Sequence, residues 1–429
     1  APKRITKSIA AFANADGGDL YIGLDENKEE KTFKWRGFDK VEDANGFIQI
    51  CEKLFPLGQD FSYEFLSFSN NGYVLHVEIH KTRDIKRASD RIVYIRRGAQ
   101  NIPLKSDEEI NRLKMNKGLI SYESQTISNS ISIITESENI INFLTEVIPT
   151  ASDTEIWLRK QQLIYEDKPT VCGVLLFADE PQAIIPKRSG IKVYRYKTQN
   201  EEGSRDTLAF NPVTIEGCVY KQIYDAVNKT VKIVEEIPKL ANGELKNIEY
   251  PHEALHEIIT NAVLHRDYIY ADDIHIRIFD NRIEVESPGT LPGHITTKNI
   301  LKERFARNGN LIRLINKFPK PPNKDVGEGL NTAFQAMEKL RLKTPVIKQN
   351  QHSVIVIIPH EPLDSPAKII VDYLSSEEGR SINKSKACEI CCISSDYKMG
   401  KILKDLSNQG VIEPVPEKRG SAYAYRKRK

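Results

Sequence analysis

The chain has 429 residues, and its 62 Lys and Arg nearly balance 59 Asp and Glu for a formal net charge of +3. Such a length exceeds what one hydrophobic core usually serves and predicts three or four units, while the charge balance excludes a polyanion-binding surface spread over the whole molecule. No apolar run reaches membrane-spanning length and the amino terminus carries no secretory pattern, so a cytoplasmic protein without a membrane partner is expected.

In chain order, Ile5 to Ala13 has a helical pattern, Asn14-Ala15-Asp16-Gly17-Gly18 is a turn, and Asp19 to Leu24 alternates as a strand. Opening inside a helical pattern leads us to expect a truncated first unit. Further strands are predicted at Phe61 to Ser67, Val74 to His80 and Ile92 to Arg97, and Ser106 should cap a helix to Met115 with acidic residues in its first turn. Arg83, Lys86, Arg87, Arg91, Arg96 and Arg97 form the densest basic stretch here. Phosphate contact and a charged strand edge that resists aggregation both fit it.

Residues 121–150, rich in Ser, Ile, Thr and Asn, have the composition of a linker leading into a short helix from Glu138 to Thr145. Beyond it a helix is predicted from Ile156 to Ile164, a buried strand from Thr170 to Ala178, a strand from Ile191 to Tyr196 and a helix from Val213 to Val234.

The most informative stretch is Pro251 to Tyr268, where Glu257 precedes Asn261 by four residues in an apolar helical pattern. Residues at i and i+4 share one helix face. A carboxylate there can act as general base, and an amide oxygen can ligate a Mg2+ that bridges phosphates, which points to ATP. A hairpin from Asp272 to Glu286 turns at Asp280-Asn281, and the loop Ser287-Pro288-Gly289-Thr290-Leu291-Pro292-Gly293 follows. Asp325-Val326-Gly327-Glu328-Gly329-Leu330 reads as a glycine loop entering a helix, a setting that suits phosphate. Ser353 to Pro359 is a strand. His265-Arg266-Asp267 either supports phosphate charge or closes the helix, with Asp267 a candidate for ordering the site and His265 for structural support. Arg307 is a candidate phosphate contact or a solvated loop residue.

The last 60-odd residues read as a separate unit, with helices at Ala367 to Leu374, Lys384 to Cys391 and Ser394 to Gln409, the last capped by Ser394. Val411 to Val415 and Ala422 to Arg426 then flank a turn at Glu417-Lys418-Arg419-Gly420. Three helices and a two-stranded wing resemble a winged helix-turn-helix, whose third helix would present Tyr397, Lys398, Lys401 and Lys404 to a major groove while Arg419, Arg426 and Lys427 reach phosphates. Dimerisation or intramolecular docking fits the same pattern, and Asp372, Glu377, Glu378 and Asp405 lower the local charge. Cys388, Cys391 and Cys392 lack a second ligand pair for zinc and read as small hydrophobes.

The ordered set from Pro251 to Pro359 resembles the GHKL ATPase fold, in the divergent branch of RecG-related and Schlafen-type ATP-binding proteins. That resemblance implies that Glu257 is the catalytic base, Asn261 the Mg2+ ligand, Gly289 a glycine of the adenine-side loop, and Gly327 and Gly329 parts of a phosphate lid. The chain departs from the pattern at Ser287, which stands where GHKL enzymes usually hold the adenine-binding Asp, and at Leu291, which replaces a further Gly. Ala11-Phe12-Ala13-Asn14-Ala15-Asp16-Gly17-Gly18-Asp19-Leu20-Tyr21-Ile22-Gly23-Leu24 and Val93-Tyr94-Ile95-Arg96-Arg97-Gly98-Ala99 resemble the AlbA-like domain of Schlafen-type proteins, which implies a nucleic-acid-associated module. The leading strand that some relatives use for nuclease chemistry is absent from this sequence, so no nuclease site is assigned.

These readings combine into an α+β, multi-domain protein: an AlbA-like unit over residues 1–120, a linker over 121–150, a GHKL-like ATP-binding α/β sandwich over 151–361 and a winged helix over 362–429. The expected function is switching of the conformation or association of DNA-binding units by Mg-ATP binding and hydrolysis, and the GHKL resemblance implies homo-oligomerisation. The alternative is a transcriptional regulator or defence-related sensor that binds nucleotide without useful turnover. No Gly-x-x-x-x-Gly-Lys-Ser/Thr loop is present, so a motor helicase is not expected.

Overall fold

The computed structural model describes residues 2–428 except 28–31, 57, 68–71, 150–152, 186–187, 242–243, 248–250, 323–328, 341, 360–365, 377–379, 392, 394 and 417–422. Gly327, Arg419, Cys392, the proposed cap Ser394 and the Glu417 to Gly420 turn lie outside the described residues.

In the first unit, helix α1 (Pro2–Asn14) and helix α2 (Asn45–Leu54) cover an antiparallel sheet of β1 (Gly18–Ile22), β2 (Phe61–Ser67) and β3 (Tyr73–Ile79), with β3 in the middle. Leu75, Val77 and Ile79 alternate inward from β3 and meet Ile9, Ala13, Cys51 and Phe55 in one buried cluster. A hairpin of β4 (Val93–Arg97) and β5 (Gln100–Leu104) packs on α1. Asn14 holds it there: its side-chain amide donates to the Lys86 and Tyr94 carbonyls at 2.7 and 2.8 Å. Helix α3 (Asp107–Asn116) starts with the capping box that Ser106 and Glu109 encode.

Described residues between Tyr122 and Ile358 contribute to one core, and here the sequence expectation needs correcting. The segment 121–150 is not a linker, because Ile134, together with Ile140, Phe143 and Leu144 of helix α4 (Glu138–Val147), is buried in that core. Thr170 to Ala178 is not a strand. It forms helix α5 (Val171–Phe177), all seven residues buried, with the Thr170 hydroxyl accepting the Gly173 N–H at 3.2 Å. A short apolar run buried all round has no polar face to reveal its period, so helix and strand read alike. The helix predicted over 156–164 ends at Lys160 and gives way to a two-residue strand at Ile164.

The central sheet has six strands: β6 (Ile191–Arg195), β7 (Val213–Ile215), β8 (Ile274–Ile278), β9 (Arg282–Pro288), β10 (Val346–Gln349) and β11 (Ser353–Pro359), in the order β7-β6-β8-β9-β11-β10. Only β6 and β8 run parallel, paired from Ile191 with Ile274 to Arg195 with Ile278; the other pairings are antiparallel. The helix predicted from Val213 begins later, as α6 (Val219–Glu235), because Gly217 at φ +108° breaks the chain after β7. It packs with α7 (His252–Leu264) against the apolar sheet face. Helices α8 (Gly309–Ile315) and α9 (Gly329–Lys339) complete the layer.

The last unit has a separate buried cluster around Ile370, Leu374, Met399, Leu403 and Leu406. Its helices are α10 (Pro366–Ser375), α11 (Lys384–Ile390) and α12 (Asp396–Asn408), and Ser395 rather than Ser394 caps α12. A strand too short to show a period, β12 (Ser381–Asn383), joins β13 (Ile412–Pro414) and β14 (Ala424–Lys427), with β14 central. No helix among the described residues is long and apolar enough to cross a membrane.

Lys117, just after α3, is an unusual core residue. Its buried ammonium donates to the Ala13 and Thr82 carbonyls at 3.1 and 2.6 Å, and burial, helped by the charge of Lys81, pushes its pKa from 10.5 down to about 7. Above pH 7 the folded chain therefore holds fewer protons at this site than the unfolded chain, and stability should rise with pH between about 7 and 10.5, by up to about 1.4 kcal/mol per unit. Urea unfolding at pH 7, 8 and 9 should show this slope, and Lys117→Met should flatten it; an equal slope in the variant would contradict the assignment.

Candidate functional site

Helix α7 buries Ala254, Leu255, Ile258, Ile259 and Val263 against its neighbours, which turns Glu257 and Asn261 toward a cavity of about 390 Å³. The other walls are β9, the segment 289–306, the start of α9, and side chains of β10, β11 and α8. That volume lies in the range of small-molecule sites. Most lining side chains are apolar, among them Ile258, Val285, Leu291, Ile295, Phe305 and Leu330; the polar ones include Glu257, Asn261, Ser287, Glu303, Arg304 and Asn331.

The i, i+4 pair is formed: the Asn261 amide nitrogen donates to Glu257 Oε1 at 2.7 Å. This orientation leaves the amide oxygen as the Asn261 atom suited to a cation. Burial raises the Glu257 pKa, opposed by the hydrogen bond from Asn261. Gly329, at φ +36°, opens α9 next to this carboxylate, where an added Cβ would sit 3.7 Å from Oε1. The helix therefore points the positive end of its dipole at the cavity. No cluster of three or more His, Cys, Asp or Glu suited to a metal occurs among the described residues.

Gly289 lines the cavity and packs closely on Asp267. At φ +105°, a Cβ there would fall 2.5 Å from the Asp267 Cβ, so only glycine fits. Its N–H donates to the His352 carbonyl at 2.7 Å. Ser287 lines the cavity but donates its hydroxyl to the Ala262 carbonyl at 2.7 Å, and so ties β9 to α7.

Asp267 and Arg307 stand behind the cavity wall. Asp267 is 2% exposed and Arg307 6%, and they pair at 3.0 Å. Arg307 also donates to the Thr290 carbonyl, and Asp267 Oδ1 accepts the Ile269 N–H. Arg307 is thus neither a solvated loop residue nor a lining residue of this cavity. Arg266 is buried too, its guanidinium donating to the Arg188, Tyr270 and Asp272 carbonyls, so the phosphate role considered for it is replaced by bracing the segments that lead into β6 and β8. His265 lines the cavity, and burial, with the nearby Arg307 charge, pushes its pKa down to about 4, leaving it neutral.

Several contributors carried no sequence signal beyond their type. Asn308 donates to the Leu264 and Arg266 carbonyls and closes the end of α7. Glu123, from the segment read as a linker, accepts the Asn310 and Leu311 N–H groups at the start of α8.

The basic candidates are dispersed. Arg96 stacks on Phe12 at 4.9 Å and donates to Asn101, whereas Arg97 is exposed. Lys398, Lys401 and Lys404 are exposed on α12 with Tyr397, which is 83% exposed, opposite the buried Met399, Leu403 and Leu406. Arg426 pairs with Glu413 at 2.7 Å, and Lys427 donates to the Ser375 hydroxyl at 2.9 Å.

Removing one member of a buried ion pair strands the other, so Arg307→Met should cost about 3–5 kcal/mol in urea unfolding. Adding Asp267→Asn should recover part of that loss; a single-variant loss below about 1 kcal/mol would contradict a desolvated pair.

Comparison with known proteins adds two matches. Residues 1–105 match the Schlafen AlbA_2 model, and residues 271–358 match the RecG C-terminal HATPase_c_4 model. The second match starts after α7, so Glu257, Asn261 and Asp267 lie outside it. No curated protein matches the chain. Among solved structures, the DIP2311 protein from Corynebacterium diphtheriae is similar at 17% identity and a TM-score of 0.45, over 99% of this chain and 86% of that one. The chain thus joins a Schlafen AlbA_2 segment at its beginning to a RecG C-terminal segment of the ATPase type in its central unit.

Proposed function

We propose that the central cavity binds Mg-ATP and that its occupancy switches the conformation or association of nucleic-acid-binding units at the two ends of the chain. The carrying observation is the Glu257–Asn261 pair at the cavity, one helical turn apart and facing the start of α9. The AlbA_2 and ATPase-type matches support ATP binding and nucleic-acid association at the level of the segments.

The residues fit the group. Asn261 would hold the cation through its amide oxygen, and the N–H groups at the start of α9 would receive phosphate oxygens. Bound Mg2+ would neutralise phosphate charge, with phosphates and water completing its shell. Glu257 would take the proton of an attacking water, and its buried setting makes that carboxylate a stronger base than an exposed one. The apolar walls would pack against the nucleotide base. Ser287 supplies no carboxylate for an adenine amino group, so selection of the base would fall to shape and backbone groups.

In the last unit the nucleic-acid surface would be the exposed face of α12, with Lys398, Lys401 and Lys404 as phosphate or base contacts in a winged-helix arrangement on duplex DNA. Arg97 is the better placed of the two amino-terminal arginines. A sensor that binds nucleotide without turnover is favoured by one observation, the direct bond between Asn261 and the Glu257 carboxylate, which occupies the base with its neighbour.

Calorimetry with a non-hydrolysable ATP analogue should show Mg-dependent binding in the wild type that Asn261→Ala loses. Glu257→Ala should keep that binding while turnover falls about a hundredfold or more. Equal turnover in wild type and Glu257→Ala would select the sensor. Removing residues 366–429 should abolish duplex binding, and Lys401→Ala should reduce the slope of log affinity against log salt by roughly 0.9; unchanged binding by the truncated chain would reject the carboxy-terminal assignment.

A further inference from the structure

The cavity wall formed by residues 289–306 is held from outside by the first unit. Lys81, in the loop after β3, donates to the Leu291 and Ile295 carbonyls at 2.9 and 3.1 Å, and to Asp16 Oδ1 at 3.3 Å. Asp16, in the turn between α1 and β1, accepts the Gln349 amide on both carboxylate oxygens at 3.3 and 3.2 Å. Gln349 closes the circuit by accepting the Leu291 N–H at 2.8 Å. Both backbone groups of Leu291 are therefore committed to this clasp, while Leu291 and Ile295 also line the cavity. The Lys81 side chain is only 7% exposed, so its ammonium depends on these acceptors for the solvation it has lost.

A second contact points the same way. Phe305, another lining residue, seats its ring against Gly118 of the first unit and Gly293 of the wall; Cβ atoms there would come within 2.4 and 2.7 Å of the ring. The wall is thus clasped by a buried cation at one end and wedged by an aromatic ring at the other.

We propose that Lys81 and Asp16 are positioning residues for the central cavity, and that through them cavity occupancy and the seating of the first unit are linked. Linkage is reciprocal: whatever loosens the clasp weakens the cavity ligand by the same factor by which that ligand tightens the clasp. Coupling free energies of this kind typically correspond to changes in affinity of about 5–150-fold. The inference rests on the reading of the cavity as a nucleotide site, and the experiment separates the two.

The full chain is compared with Lys81→Met and Gln349→Ala by amide hydrogen exchange and by calorimetry with a Mg-bound non-hydrolysable ATP analogue. Exchange should speed up at residues 289–296 in both variants while the distant core of the last unit keeps its protection. The analogue should bind about tenfold more weakly to Lys81→Met. In the wild type it should slow exchange at residues 14–18 and 80–84, an effect that Lys81→Met loses. Gln349 sits at the end of a strand outside the core, so its variant decides the clasp even if Lys81→Met does not fold. Unchanged exchange at 289–296 in the folded variants overturns the clasp, and faster exchange with unchanged analogue affinity overturns the linkage. A wild type that binds no analogue overturns the nucleotide reading and the linkage with it, while the exchange arm still decides whether the clasp exists.

Discussion

The buried pair between Asp267 and Arg307 is the constraint on which the site depends. At 3.0 Å and almost fully desolvated, it joins the end of α7 to the start of α8, and through the Thr290 carbonyl it also fixes the loop after β9. Charges this deep persist only when paired and hydrogen-bonded. Neighbouring residues repeat the connection, with Asn308 taking the carbonyls at the end of α7 and Arg266 bracing the segments that lead into β6 and β8. Two adjacent pairs, Arg266-Asp267 and Arg307-Asn308, thus lock two distant stretches of chain in one geometry. Gly289 follows from this, because the loop can pass Asp267 only where no side chain intervenes.

In front of that scaffold the cavity is chemically sparse. Glu257 and Asn261 share a flank of α7 because their helix buries its other residues, and the direct hydrogen bond between them holds the carboxylate in place before any ligand arrives. Most of the remaining wall is apolar. The nucleotide proposed for it would draw phosphate affinity from the start of α9 and from a metal more than from lysines.

The first unit contributes to the same architecture rather than hanging from it. Lys117 secures the end of α1 to the loop after β3, and Lys81 extends that loop to the cavity wall. Buried lysines are expensive to desolvate, and Lys117 spends its donors on backbone carbonyls while Lys81 adds the Asp16 carboxylate to two carbonyls. The last unit, by contrast, keeps a core of its own and an exposed cationic helix face.

Several features were legible in the sequence because they are local. The i, i+4 spacing of Glu257 and Asn261, the Ser106 cap and the strand from Ser353 to Pro359 each depend on residues close in the chain, and each formed as its pattern implied. Local pattern failed where burial was complete on all sides, as at Val171 to Phe177, and where polar composition concealed core residues, as around Ile140 and Phe143. Tertiary structure alone decided which charges are solvated and which are not. Arg307 reads as a surface cation and proves to be a buried partner of a carboxylate 40 residues away, and Lys81 reaches carbonyls more than 200 residues on. Sequence therefore determined the helix and strand faces that carry the chemistry, because their periodicity is set by backbone geometry; the pairing of charges was left to the fold, because burial, which sets what a charge requires, is a property of the packed chain as a whole.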